Sequence, residues 1–400
     1  MVAMHSAESG GGGLLVPRIS LEEYLASPIY KTPVLIRDIV SPTEVESLTD
    51  TLMASLGRET VSMQRKISKR TRTTRSKTKT EIYDIALQDS IDYMMDSCHD
   101  DAYFAFCEGL LPINSHHDDR SKLRDELKSI REAPFPSQEN WFDYFPSSVM
   151  PTDAIILAGT GATSTLHRDP FEWTGTSLCL EGTKVWRFIL PPLNSSGSNG
   201  GGVAVVDEAL KSYRLNSIAW EVDECETNQV DEPVILSAGW QSDMTLYDSI
   251  DERFPSGFEL MKLEEEDNKT FQDELQDAVM DTSRLRPSGN ALSAFDYIAE
   301  SYNNSDRSSP FITAIQHQGD LLIIPAHCWH QTYAPVPSIA VASQRCGAAI
   351  DGANVVKHVL GVANRDDKLE TPHLLQHNFY NEGMGRDVVG TLIEYVVSTR

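Results

Sequence analysis

The sequence predicts a mainly β core carried between helical flanks, and three observations predict it. Closely spaced apolar runs that read as strands fill Ala154 to Pro192 and resume from Phe311 to Cys346. Two capping-box patterns, Ser20-Leu-Glu-Glu23 and Ser41-Pro-Thr-Glu44, start helices ahead of them, the second with Pro42 at its first helical position. An amphipathic pattern from Asp387 to Val397 closes the chain with another helix.

Residues 1–17 hold four consecutive glycines and one short apolar stretch (Leu14, Leu15, Val16), and read as a flexible tail. They lack the basic start and long apolar run of a secretory signal. Pro33-Val-Leu-Ile36 is a short β-branched run expected to be a buried strand, and Gly57 is expected to end the second helix. Next comes a basic stretch of Arg65, Lys66, Lys69, Arg70, Arg72, Arg75, Lys77 and Lys79, spaced mostly by Ser and Thr. It reads as a solvated loop, or more sharply as a nuclear-import signal or an anion-binding arm. Glu81 to Met95 gives a short strand and an amphipathic helix, Ala102 to Phe106 another strand, and Asp118 to Glu132 an exposed, charged helix.

Residues 18–150 are thus a helix-and-strand region supporting a core at 151–350. An acidic insertion at about 193–310 interrupts that core; it contains the low-complexity loop Leu193 to Gly202, the run Leu263-Glu-Glu-Glu-Asp267 and a helix near Asp273 to Val279. Residues 351–400 form a helical C-terminal region.

Among the 400 residues, 34 Lys and Arg stand against 59 Asp and Glu, a net charge of −25 that repels phosphate backbones and anionic membranes. Nucleic-acid binding is therefore expected only through the basic stretch Arg65–Lys79. No window approaches the ~20 apolar residues of a bilayer span, so the chain reads as soluble and without a membrane partner. The six cysteines are scattered with no C-x-x-C pair, which suits reduced, buried thiols and a nuclear or cytoplasmic location.

Three segments carry chemistry. In Ser164-Thr-Leu-His-Arg-Asp169, His167 and Asp169 are two apart, so an extended strand sends both side chains from one face, where they can share a metal ion. In Glu181-Gly-Thr-Lys-Val-Trp-Arg-Phe-Ile-Leu190, Gly182 suggests a tight turn between two strands, and period-2 counting puts Lys184 on one face with Trp186, Phe188 and Leu190. A lysine buried there needs an anion, because an unpaired buried ammonium costs several kcal/mol, roughly; at the strand end it would instead snorkel to water. Gly319-Asp-Leu-Leu-Ile-Ile-Pro-Ala-His-Cys-Trp-His330 reads as a turn, an apolar strand, a proline stop and a loop in which His327 or His330 can supply a second imidazole. Two imidazoles and one carboxylate with open positions opposite are the set favoured by non-haem Fe(II) oxygenases.

The order H-x-D, E-G-x-K-x-W and G-D-x-x-x-x-P-x-x-x-W-H resembles the JmjC (jumonji C) family of Fe(II)- and 2-oxoglutarate-dependent oxygenases over Ala154–Leu190 and Phe311–Cys346, and Pro33-Val-Leu-Ile-Arg37 resembles the lead-in strand of its smaller members. The resemblance implies a double-stranded β-helix core of the jelly-roll or cupin kind. It implies His167, Asp169 and His330 as iron ligands, His330 rather than His327 because the ligand follows the position of Trp329. It implies Lys184 as the partner of the distal carboxylate of 2-oxoglutarate, and Ser164 or Thr165 as a co-substrate hydroxyl. Ser177 stands where several relatives have Asn near the co-substrate, and Gln344-Arg345 replaces an Asn-Phe pair; losing the amide donor is worth about 1 kcal/mol if a bond was made.

The implied activity is a dioxygenase that couples O2 and 2-oxoglutarate to C–H hydroxylation, with release of succinate and CO2. A protein or peptide substrate is expected, and hydroxylation of a side chain is favoured over histone or protein lysine demethylation by the same chemistry because no PHD, Tudor or JmjN-like segment is recognised. The acidic insertion, Val206 to Asp281, suits a basic partner such as a histone tail or ribosomal protein, or is simply a solvated surface. Two other classes stand beside this one: a non-catalytic JmjC-like binding protein, and an ordinary metal-dependent cupin without 2-oxoglutarate.

Overall fold

The computed structural model describes residues 14–29, 32–71, 74–97, 101–111, 118–138, 140, 142, 153–164, 167–169, 173–189, 240–241, 311–325 and 328–346. The expected helices near Asp273–Val279 and Asp387–Val397, the loop Leu193–Gly202, the run Leu263–Asp267, Thr165 and His327 lie outside the described residues. In chain order the elements are β1 (Leu14–Leu15), β2 (Arg18–Ile19), α1 (Leu21–Ala26), β3 (Val34–Ile36), α2 (Pro42–Leu56), β4 (Thr60–Thr71), β5 (Thr74–Ala86), α3 (Leu87–Met95), β6 (Asp101–Cys107) and α4 (Asp118–Glu132). There follow β7 (Ala154–Ala158), β8 (His167–Arg168), β9 (Thr174–Glu181), β10 (Thr183–Ile189), β11 (Trp240–Gln241), β12 (Phe311–His317), β13 (Leu321–Ile324), β14 (Trp329–Tyr333) and β15 (Ser338–Arg345).

The fold is mainly β, as expected. Six strands form one sheet in the order β1-β12-β10-β14-β8-β11, and nine form a second, mixed sheet in the order β2-β3-β13-β9-β15-β7-β6-β4-β5. The capping boxes form as their sequences dictate: Ser20 and Glu23 exchange bonds at the start of α1, and Ser41 and Glu44 at the start of α2, with Pro42 in the first turn. Gly57 caps α2, in the right-handed conformation.

Alternation builds the main core. Val61 and Met63 of β4, Ile155 and Leu157 of β7, Leu178 and Leu180 of β9 and Ile339 and Val341 of β15 leave one face of the nine-stranded sheet. There they meet Tyr24 of α1, Val45, Leu48, Leu52 and Leu56 of α2, Leu87 and Met94 of α3, and Leu123 and Leu127 of α4. The helix α4, expected to be exposed, is corrected by that last pair: two leucines four apart suffice to bury one stripe of a highly charged helix. Its last turn also grips the sheet, with Arg345 donating to Glu132 (2.8 Å) and Arg131 paired with Asp153.

Three further expectations change. Residues 14–16 are not a tail: Leu14 and Leu15 pair in parallel with Ile312 and Thr313, and Val16 is buried. A partner some 300 residues away leaves no mark on local composition. The basic stretch is not a loop but the body of the β4–β5 hairpin, in register from Thr60↔Ala86 to Lys69↔Lys77. Among the described residues its distal part pairs with no third strand, and its sequence carries no apolar alternation. Gly182 does turn the chain, with φ 73° and a position where a Cβ would lie 2.0 Å from the Pro337 carbonyl oxygen, but the strands on either side, β9 and β10, belong to different sheets.

The N-terminus is fixed to the core by one buried carboxylate. Asp320, at the turn before β13, accepts from Arg18 Nε (3.0 Å) and Nη2 (2.9 Å) and from the backbone N–H groups of Asp38 (3.2 Å) and His317 (3.1 Å). Asp320→Ala leaves two amides unpaired and a partly buried guanidinium without its partner, and is expected to cost about 2–4 kcal/mol in urea unfolding. A loss below ~1 kcal/mol would show that strand pairing alone holds residues 14–38 in place.

Candidate metal centre

The two sheets face each other across a lumen, and period-2 alternation decides what enters it. From β10, Lys184, Trp186 and Phe188 share one face; in register beside them stand Gln316, Ala314 and Ile312 of β12, and Thr332 and His330 of β14. His330 in turn pairs with His167 of β8. The face sharing expected for Lys184, Trp186 and Phe188 is therefore observed, while Leu190 lies outside the described residues.

His167, Asp169 and His330 come together as a group whose ligand atoms all lie within 4.8 Å of one another. His330 Nε2 is 3.7 Å and His167 Nε2 4.0 Å from Asp169 Oδ1, and the two imidazole centroids are 4.2 Å apart. His330 Nδ1 lies 2.9 Å from the Cys328 carbonyl oxygen. A carbonyl only accepts, so Nδ1–H donates to it and Nε2 is the atom presented to Asp169, the arrangement that orients metal-bound imidazoles. His330 is buried; His167 and Asp169 are partly open to solvent, which leaves a side for a ligand to enter. The set is two imidazoles and one carboxylate, and its spacing fits a divalent transition metal.

One residue that sequence reasoning missed belongs to this centre. A Cβ at Gly175 would stand 3.0 Å from Asp169 Oδ2, so the bare backbone of β9 makes room for the carboxylate. The available signal was a glycine inside an otherwise β-branched and apolar strand, which marks close approach of another group. The insertion also reaches the centre: Trp240 and Gln241 form β11 and pair with Arg168 and His167.

Lys184 is 2% exposed. Its Nζ stands 4.7 Å from the centroid of the Trp186 ring, and no carboxylate among the described residues pairs with it. Desolvation pushes its pKa down to about 8, partly opposed by the Cys179 thiol, which burial in turn pushes up to about 12. Trp186 and Phe188 stack at 6.1 Å and both lie about 6 Å from the His330 ring, at 5.9 and 6.0 Å, so aromatic rings line the face that Lys184 and His330 share.

The remaining predicted positions divide. The Ser164 hydroxyl is occupied at the rim, accepting from Thr332 N (2.9 Å). Ser177 Oγ and Gln344 Oε1 are buried with no hydrogen-bond partner among the described residues. The register places Gln344 opposite Gly175, on the Asp169 side of β9 and β15. Arg345, one residue on, points the other way to Glu132, which explains a cation where an apolar residue was expected: it ties β15 to α4 rather than lining the lumen. The lysine and the Ser177 hydroxyl are donors that suit an anionic oxygen, whereas Gln344 Oε1 only accepts and calls for a donor. Four of the cysteines, Cys107, Cys179, Cys328 and Cys346, are buried free thiols, as expected. No protein-family model matches the chain, and no curated protein is a significant match.

Removing any of the three ligands, as in His167→Ala, Asp169→Ala or His330→Ala, is expected to weaken Mn(II) or Fe(II) binding by a hundredfold or more, on the scale that even supporting groups reach. Gly175→Ala, which pushes a methyl toward Asp169, is expected to lower metal affinity by about tenfold with the fold retained. Anaerobic titration calorimetry reads both, and undiminished binding in the Asp169 variant would sink the assignment.

Proposed function

We propose that this chain is a JmjC-type oxygenase with a double-stranded β-helix core, using Fe(II), 2-oxoglutarate and O2 to hydroxylate a side chain of a protein substrate. The observation that carries this reading is the presence in one lumen of a His-Asp-His group and a desolvated lysine that no described carboxylate neutralises. The core assignment is supported by the way the chain crosses between sheets at β9 to β10, β12 to β13, β13 to β14 and β14 to β15.

His167, Asp169 and His330 would hold the iron, and Lys184 the distal carboxylate of 2-oxoglutarate. Fe(II) and 2-oxoglutarate together supply an oxidising chemistry that consumes O2, releases succinate and CO2, and leaves one oxygen atom on a substrate carbon. The protein's own part is placement. The Cys328 carbonyl orients the His330 ring, Gly175 leaves space for the Asp169 carboxylate, and the burial of Lys184 beside the Trp186 ring strengthens its pull on an anion. If the carbon carries a methylated nitrogen, hydroxylation ends as demethylation, so a lysine demethylase would share these residues and roles.

The direct test is succinate formation by anaerobically Fe(II)-loaded protein given 2-oxoglutarate and then oxygen, with no added substrate. Iron-dependent succinate that disappears in His167→Ala is the expected result. No succinate together with no detectable 2-oxoglutarate binding would reassign the chain to a non-catalytic metal-binding protein.

Lys184 adds a pH signature. Below about pH 8 the empty site already holds a cation; above it, the lysine must gain a proton before it can pair with the dicarboxylate. Affinity for 2-oxoglutarate is therefore expected to fall by up to tenfold per pH unit above about 8, with proton uptake on binding. The linkage to folding has the opposite sense: between about 8 and 10.5 the unfolded chain binds more protons than the folded one, so the contribution of Lys184 to stability rises with pH there. Calorimetry in buffers of different ionisation heat checks the first effect, and Lys184→Met should abolish the pH dependence along with most of the affinity.

A further inference from the structure

The basic stretch takes no part in the centre described above. β5 is the last strand of its sheet, and β6 pairs with β4 only from Gln64 to Ile67. Beyond Ile67 the two strands pair only with each other, through Ser68↔Thr78 and Lys69↔Lys77 to Thr71↔Thr74. About four residues on each strand therefore extend past their neighbour, a reach of roughly 13 Å at the ordinary rise per residue.

From Val61 to Thr80 the sequence has eight Lys and Arg, no carboxylate and no aromatic residue. Two of the eight serve the root of the ribbon. Arg65 pairs with Asp101 and Glu81, and Lys66 donates from Nζ to the Thr163 carbonyl (3.3 Å), its pKa lowered by burial. Thr163 adjoins Ser164, which bonds Thr332, so the root of the ribbon is tied to β14, the strand that carries His330. Of the other cations, Lys69, Arg70, Arg75 and Lys77 fall in the distal part of the two strands, and Lys79 stands opposite Ile67 at its base. The register sets Lys69 opposite Lys77, so the two strands bring cations of both to one level of the ribbon.

The chemistry selects among polyanions. Between the distal cations stand Ser68, Thr71, Thr73, Thr74, Ser76 and Thr78, hydroxyl residues that suit phosphate oxygens. Between Ile67 and Thr80 there is no aromatic residue on which single-stranded bases would stack and no large apolar anchor of the kind that carries protein interfaces. A two-stranded ribbon fits the major groove of B-form DNA, about 12 Å wide and 8.5 Å deep, whereas the narrow major groove of A-form RNA shuts it out. We propose that the β4–β5 ribbon is a docking arm for duplex DNA, held chiefly through phosphate contacts. The net charge of −25 opposes approach, so binding is moderate and steeply salt-dependent. The inference stands apart from the oxygenase reading, since it uses none of the metal ligands.

The test is fluorescence anisotropy of the full chain with a labelled mixed-sequence DNA duplex of about two helical turns. Wild type is expected to lose roughly a hundredfold or more in affinity between ~50 and ~200 mM salt, the slope of about five neutralised phosphates. The variant carrying Lys69→Gln, Arg70→Gln, Arg75→Gln and Lys77→Gln should bind at least about tenfold more weakly at the lower salt, while His167→Ala binds like wild type whether or not it forms succinate. Should the fourfold variant unfold, Arg75→Gln with Lys77→Gln should still reduce the salt slope by about two. Absence of wild-type binding at low salt, or a salt slope unchanged by these substitutions, overturns the proposal. Tighter binding of poly-glutamate than of DNA also overturns it, in favour of an acidic protein partner.

Discussion

The apposition of the two sheets depends on one fully buried amide. Gln316 of β12 donates from Nε2 to the carbonyls of Ser177 (2.6 Å) and Asp320 (3.0 Å), and its Oε1 accepts from the Trp186 indole N–H (2.9 Å). It thus links the six-stranded sheet to β9 of the nine-stranded one and to the turn that carries the N-terminal clamp, while fixing the ring beside Lys184. Every donor and acceptor of the side chain is used, which is the condition under which a buried polar group specifies a core instead of destabilising it. The positions of Trp186, His330 and Lys184 follow from that bridge, because they share its face and its strand registers.

Lys184 works in the opposite direction. Its ammonium is removed from water with only an aromatic face as partner among the described residues, an arrangement costly to folding. Ser177 Oγ and Gln344 Oε1 add two more unsatisfied buried atoms. The fold tolerates this because the surrounding apolar core, packed between the helices and the outer face of the nine-stranded sheet, is large and continuous. Unsatisfied buried polar groups gathered beside a His-Asp-His group mark this part of the fold as the place to look for function.

Much of this was legible along the chain. The capping boxes at Ser20 and Ser41, the strand at Val34–Ile36 and the shared face of Lys184, Trp186 and Phe188 all follow from local spacing, because helix caps and strand alternation are set by residues within a few positions of each other. His167 and Asp169 could be paired on the same ground. His330 could be joined to them only through resemblance, since no local rule reaches across more than 150 residues. The part of Gly175 depends on Asp169 lying against it, which no local window shows, and the strand character of the basic stretch is hidden because its sequence has no apolar alternation.

The sequence by itself determined which residues form the helices, which strand faces are apolar, and which side chains are able to bind a metal or an anion; these are properties of short windows and of side-chain chemistry. The tertiary structure alone decided that β9 and β10 separate into different sheets, that residues 14–16 complete the edge of β12, and that Arg345 turns to α4 while Gln344 turns toward the lumen. Those outcomes rest on pairings between segments hundreds of residues apart. Their energy comes from burying surfaces and satisfying hydrogen bonds that do not exist until the sheets close.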